Sequence, residues 1–202
     1  MPTHATTPDG FTIFAQPIRG RACGSCTLCC TLVPADLAQR GYPEAMKRAG
    51  EKCRHVGHHG CKIHARRPDP CRYWSCRWLF DPGTADMRRP DHAGYCVDAI
   101  PDSIAVNGQE IEILQVWCDP KRRDAHRDPA LRAYIAAMNM AAIVRFGEDD
   151  AIVIAPPSMT EGGEWLEFPA TIVTAEKHRQ NLAAVGAVPF LEKLKAAGAD
   201  VS

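Results

Sequence analysis

The sequence predicts an α+β fold, an irregular cysteine-rich module packed on a small mixed β-hairpin/helix half. Three observations carry that expectation. Eight of the ten cysteines fall between Cys23 and Cys76. Asn107 and Gly108 form an Asn-Gly pair between two β-prone runs, and a capped amphipathic stretch opens at Asp128. Hydrophobic residues make up 46% of the 202 positions, enough to bury a core without covalent staples.

Residues 1–20 read as a lead-in, with Phe11, Ile13 and Phe14 in a strand. The cysteine-rich module spans 21–80, and its polar loops, such as Val56-Gly57-His58-His59-Gly60, predict little regular structure. One helix is expected over 34–49, with Leu37, Ala38, Tyr42, Ala45 and Met46 on one side and Gly41 and Pro43 able to break it. Residues 81–94, with Asp81-Pro82-Gly83, Arg88-Arg89-Pro90 and His92-Ala93-Gly94, read as a linker or wrapping loop.

The remainder, 95–202, reads as the α+β half. Residues 103–106 and 110–117 flank the Asn-Gly pair, the strongest short-range hairpin signal. Ile111, Ile113 and Trp117 share one face of the second strand and Leu114 and Val116 the other, so both faces should be covered. A helix follows, with Asp128 as cap, Pro129 in the first turn and Gly147 as the left-handed stop. Its stripe is Leu131, Tyr134, Ile135, Met138, Ala142 and Phe146. Strands are expected at 151–155 and 164–168, and helices at 174–185 and 189–197. Internal repeats are absent.

Twenty-four basic residues balance twenty-four acidic ones, so no global field draws the chain to nucleic acid or an anionic membrane. No window approaches the ~18 apolar residues of a membrane span, and residues 1–20 lack the pattern of a signal peptide. The expected address is cytoplasmic, where clustered cysteines point to metal or redox chemistry rather than disulfides.

The first motif is Cys23-Gly24-Ser25-Cys26-Thr27-Leu28-Cys29-Cys30. Steps of three residues let successive sulfurs turn inward around one centre, as in the opening of a bacterial ferredoxin run. Cys30 cannot easily join Cys29 on one tetrahedral ion; it faces a second site, bridges two metals or serves as a redox thiol. Cys53, Cys61, Cys71 and Cys76 form a second, irregularly spaced group. Eight thiols permit two closed zinc sites, or one [4Fe–4S] cluster with four thiols left over.

Either centre carries a net charge of about −2 that neighbouring cations should offset. Lys52, Arg54, Lys62, Arg66, Arg67, Arg72 and Arg77 face two acids, Glu51 and Asp69, in that stretch. Among eight thiols, this basic patch reads as local neutralisation rather than a nucleic-acid surface. His55, His58, His59 and His64 read as loop or supporting residues, although Cys61 and His64 have a ligand-like gap. Tyr73, Trp74 and Trp78 read as a hydrophobic shield. Cys118 reads as a core thiol, and Cys96 as either core or cluster. The runs Glu148-Asp149-Asp150 and Glu161-Gly162-Gly163-Glu164 read as exposed turns, and no residue is assigned a catalytic role.

The order of the cysteines, with Gly60-Cys61-Lys62-Ile63-His64, Arg67-Pro68-Asp69-Pro70-Cys71-Arg72 and Cys76, resembles the CxxCxxCC zinc- or iron-chelating domain family, the YkgJ-like cysteine cluster proteins. The resemblance covers residues 20–80. It implies metal chelation by Cys23, Cys26, Cys29, Cys30, Cys53, Cys61, Cys71 and Cys76, with zinc or iron, an iron–sulfur cluster included, as cofactor. The signature also occurs in the flagellin lysine methylase group, although this chain has no Gly-rich nucleotide-type loop after a strand. Where His64 stands, the family pattern often has tyrosine, so the resemblance does not make it a ligand.

The expected function is therefore metal binding, with a metal ion as partner and no membrane or nucleic acid. The alternatives are an iron–sulfur-dependent redox or group-transfer enzyme, and a zinc-built module for binding protein or nucleic acid.

Overall fold

The long strand Gln109–Cys118 organises the described part of the chain. The computed structural model describes residues 17–35, 47–67, 71, 74–104 and 111–170, together with the backbone of 5–6, 12–13, 105–106 and 109–110. Short strands β1 (Ala5–Thr6) and β2 (Thr12–Ile13) pair with each other, so Ile13 is extended as expected. One turn of helix, α1 (Cys29–Leu32), is followed by the small hairpin β3 (Val56–Gly57) and β4 (Gly60–Cys61). Then come α2 (Arg77–Phe80), α3 (Pro90–Ala93), β5 (Tyr95–Val97), β6 (Asp102–Val106) and β7 (Gln109–Cys118). Helix α4 (Pro129–Met138) and strands β8 (Ala142–Arg145), β9 (Ala151–Ala155) and β10 (Leu166–Ala170) complete it.

The fold is α+β, with a six-stranded sheet in the order β10-β9-β8-β7-β5 and β6 also paired with β7. The expected hairpin is present: β6 and β7 run antiparallel with Val106 opposite Gln109. The β7–β8 pair is parallel, which requires a crossover, and residues 119–141 supply it through a 3-10 stretch (Pro120–Arg127) and α4.

Helix α4 begins as the sequence dictates, with the Asp128 carboxylate accepting from the Ala130 N–H at 2.9 Å and Pro129 in the first turn. It ends earlier than expected, at Asn139 (φ 50°) instead of Gly147. Asn tolerates the left-handed conformation, and the β-branched Ile143 and Val144 that follow favour a strand. Ala142 therefore lies in β8 and Phe146 just beyond it, not on the helix stripe.

Strand alternation assigns the two faces of the sheet. Leu114, Val116 and Cys118 of β7, with Tyr95 and Val97 of β5, pack against Leu131, Tyr134 and Ile135 of α4. Full burial of one such aliphatic side chain contributes about 1.5–3 kcal/mol. Cys96 and Trp117 point the opposite way, into a second cluster with Leu32, Cys76, Leu79, Phe80 and Ala99. Ile113, Ile143 and Val153 continue as a third cluster with Phe168 packed against it. Both faces of β7 are thus covered, as its sequence requires.

Residues 81–94 wrap closely around this core. They carry a 3-10 turn (Pro82–Thr84) and α3, and they bury Thr84, Met87, Pro90 and Ala93. Arg21 fastens that wrap to the cysteine-rich segment by donating to the Trp78 carbonyl and to Thr84 Oγ1 at 2.8 Å.

In place of the start and end of the expected 34–49 helix, Ala35 and Lys47 form an isolated antiparallel bridge. The interior of that helix, the Asn107-Gly108 turn, and the helices expected at 174–185 and 189–197 lie outside the described residues. Among the described residues, no helix is long and apolar enough to cross a membrane.

Candidate metal centre

All ten cysteines are free thiols. The first motif forms a turn in which the Cys26 N–H donates to the Cys23 carbonyl at 2.7 Å, then enters α1 with Cys29 and Cys30 as its first residues. The next segment returns beside it, because the Cys53 N–H donates to the Cys30 carbonyl at 3.0 Å and Gly50 N–H to Leu32 at 3.0 Å. Cys61 pairs with Val56 in the β3–β4 hairpin, and the Lys62 N–H donates to the His55 carbonyl at 2.9 Å.

Gly60 lets that hairpin reach the first motif. Its φ is 109°, and a Cβ there would lie 2.4 Å from the Gly24 carbonyl oxygen. Only glycine fits such an approach, so residue 60 fixes how closely the two cysteine-bearing loops abut. The third contributor, Cys76, precedes α2 and is 5% exposed against Cys96, Trp117 and Phe80. Cys71 is the exposed member of the ten.

The thiols perturb one another, which places them within electrostatic reach. The neighbouring Cys30 thiol, together with burial, pushes Cys29 well up. The neighbouring Cys29 thiol, with Lys47 and Arg67 nearby, brings Cys30 down to about 7. Burial pushes Cys76 up to about 12, against the amides of Leu79 and Trp78. Burial likewise raises Cys23 and Cys26, with Arg67 and, less strongly, Arg89 opposing it at Cys23. Burial thus disfavours the thiolate form at Cys23, Cys26, Cys29, Cys71 and Cys76.

Cations do surround the cluster, but only some are those the sequence singled out. Arg67 lies near Cys23, Cys30 and Cys71. Arg77 is spent elsewhere, donating to the Asp98 carbonyl at 2.9 Å and pairing with Asp81. Lys47 and Arg89 were missed. Lys47 faces Cys30, Cys53 and Cys29, and Arg89 donates to Ser25 Oγ at 3.1 Å beside Cys23 and Cys26. Arg89 is distant in sequence from the motif it serves and Lys47 lies in the stretch between Cys30 and Cys53, and only their charge could have marked them.

Trp74 and Trp78 act as anchors. Trp74 Nε1 donates to Asp98 at 2.7 Å, and Trp78 Nε1 to the Met87 carbonyl at 3.1 Å. Cys96, 1% exposed, belongs with the cluster residues rather than with the core under α4. Cys118 is a core thiol beneath the helix, its sulfur 3.4 Å from the Arg122 carbonyl oxygen. His58, His59 and His64 are exposed and His55 half-buried. The two acidic runs are exposed, and Asp150 pairs with Arg123.

Among the described residues, no three Cys, His, Asp or Glu side chains are closed around a common point that could hold a metal ion. The donor chemistry nevertheless suits a thiophilic cation, because sulfurs from three separate stretches share one locality with basic groups. No protein-family model matches the chain, and no curated protein or solved structure is significantly similar to it.

Proposed function

We propose that this protein binds a thiophilic metal, zinc or iron, through Cys23, Cys26, Cys29, Cys30, Cys53, Cys61, Cys71 and Cys76. The observation that carries the reading is the meeting of cysteine-bearing stretches: Cys53 docks by its N–H on the Cys30 carbonyl, Gly60 abuts Gly24, and Cys23, Cys29 and Cys76 share one apolar cluster. Packing alone gives no reason to gather so many thiols with cations. The resemblance to YkgJ-like cysteine cluster proteins supports the same reading.

The chain's own groups have defined tasks. Lys47 and Arg67 would offset the charge of thiolates bound to a cation, and Gly60 keeps the hairpin against the first motif. A cation bound by thiolates would displace thiol protons, so binding should release protons and close the loops together. Zinc would supply a structural crosslink and an iron–sulfur centre would supply one-electron chemistry.

Purification without oxygen or chelator, followed by elemental analysis and an optical spectrum, tests the proposal. A colourless protein with stoichiometric zinc, or a brown one absorbing near ~400 nm, supports it. A folded chain without transition metal rejects it.

A further inference from the structure

The zero net charge of the chain conceals a separation. Residues 47–67 hold seven Lys and Arg against one acid, Glu51, whereas residues 74–170 hold nine against sixteen. The positive stretch is a lobe built of turns. Gly50 and Cys53 dock it on α1 through their N–H groups, and turns close at Arg48–Glu51 and Cys53–Val56. The β3–β4 hairpin follows, and a 3-10 turn (His64–Arg66) ends it.

The cations of this lobe are of two kinds. Lys47 and Arg67 are half-buried and engaged, Lys47 donating to the Thr31 carbonyl at 3.2 Å and Arg67 to the His64 carbonyl at 2.9 Å. Arg48, Lys52, Arg54, Lys62 and Arg66 are exposed, and among the described residues nothing accepts from their side chains. The sheet half differs: there Arg89 meets Asp91, Arg123 meets Asp150 and Arg145 meets Asp102. Unpaired like charges held in one small lobe repel one another, and a partner that brings negative charge relieves that repulsion.

The lobe also restricts the kind of partner. Among the described residues the exposed large apolar side chains are Ile100 and Met138, both outside it. It therefore lacks the apolar anchors of a protein–protein interface and the inserting side chains of a membrane-surface segment. Its strands are two residues long and its helical turn three, too short to lie in a duplex groove and read base edges. Arg and Lys on turns without such anchors suit phosphates, which guanidinium groups bind in bidentate fashion. The acidic sheet half repels the same polymer and confines contact to the lobe.

We propose that residues 48–66 bind the phosphate backbone of single-stranded nucleic acid, without sequence preference, through Arg48, Lys52, Arg54, Lys62 and Arg66. The whole-chain charge, which disfavours such a partner, is an average over two regions of opposite sign.

Fluorescence anisotropy of a labelled single-stranded RNA, titrated with the full chain, tests this. With about four phosphates neutralised, raising salt from ~50 to ~200 mM weakens binding roughly fiftyfold, and an RNA of scrambled sequence binds equally well. Lys52→Gln/Arg54→Gln and Lys62→Gln/Arg66→Gln, all at exposed positions, keep their circular dichroism. Each weakens binding about tenfold and flattens the salt dependence. Lys121→Gln, an exposed cation of the sheet half, leaves binding unchanged. No binding at ~50 mM salt, or unchanged affinity in either folded double variant, overturns the proposal. So does an equal loss in Lys121→Gln. Tighter binding to polyglutamate or to phosphatidylserine vesicles than to RNA overturns it too, by making the partner an acidic chain or a membrane.

Discussion

Replacing Asp98 by alanine should loosen the cysteine-rich segment from the sheet, and the size of the effect follows from its bonds. Asp98 is 3% exposed. Its carboxylate accepts from Trp74 Nε1 at 2.7 Å, the Ile100 N–H at 2.9 Å, Trp117 Nε1 at 3.0 Å and Gln115 Nε2 at 3.2 Å. Burial raises its pKa, while these donors and Arg77 oppose the rise. Without the carboxylate, the Ile100 and Gln115 donors can turn to water. The indole of Trp117 is buried and cannot, and an unsatisfied buried donor costs about 1–3 kcal/mol. Losing the Trp74 bond to a charged acceptor adds about 1 kcal/mol. The expected loss is about 3 kcal/mol, or roughly 6–12 °C in Tm for a chain of this size. Urea and thermal unfolding followed by tryptophan fluorescence measure it, because the affected donors are themselves tryptophans. A loss below about 1 kcal/mol would refute the claim that Asp98 bridges the two halves of the molecule.

Four further outcomes follow from the same structure. Cys29→Ser should lose metal and reduce soluble expression, since metal binding and local folding are coupled; unchanged metal content would remove Cys29 from the ligands. Gly60→Ala should force the hairpin away from Gly24, weakening metal binding at least tenfold, about 1.4 kcal/mol, in a competition titration. Glu167 is held down at about 2, first by Arg127 and also by Arg132 and His126. Its folded pKa lies below its unfolded value, so its contribution is present above about pH 4.5 and is lost as pH falls toward 2. Glu167→Gln should then cost about 1–2 kcal/mol at pH 7 after allowance for solvent screening and flatten the acid limb of the stability profile. Asn139→Ala should cost about 1 kcal/mol in urea unfolding, because alanine lacks the local side-chain hydrogen bonding that lets asparagine adopt the left-handed stop of α4 and Ser158 Oγ loses its acceptor; Asn139→Gly should cost less.

Local chemistry made much of this fold legible. Asn107-Gly108 announced the β6–β7 hairpin, Asp128-Pro129 fixed the start of α4, and alternation along 111–117 assigned both faces of β7. Its end was misread because Gly147 is the stronger helix stop on paper. Only the pairing of Ala142–Arg145 beside β7 reveals that the chain had already turned at Asn139. Parallel pairing is a long-range fact that no local pattern carries. At the candidate site, spacing nominated all eight cysteines, yet it could not show that Cys29 and Cys30 face different neighbours. Cys96 was ambiguous because strand parity places it opposite Tyr95 and Val97 only once the sheet's faces are known. Lys47 and Arg89 were invisible for the same reason: their role depends on where the chain returns.

The most direct measurement is X-ray absorption at the metal edge of the protein purified anaerobically. Thiolate ligation predicts a first shell of sulfur alone, at ~2.3 Å if the metal is zinc. A shell dominated by nitrogen or oxygen, or no metal to measure in a folded protein, would contradict the claim that these cysteines exist to hold a cation.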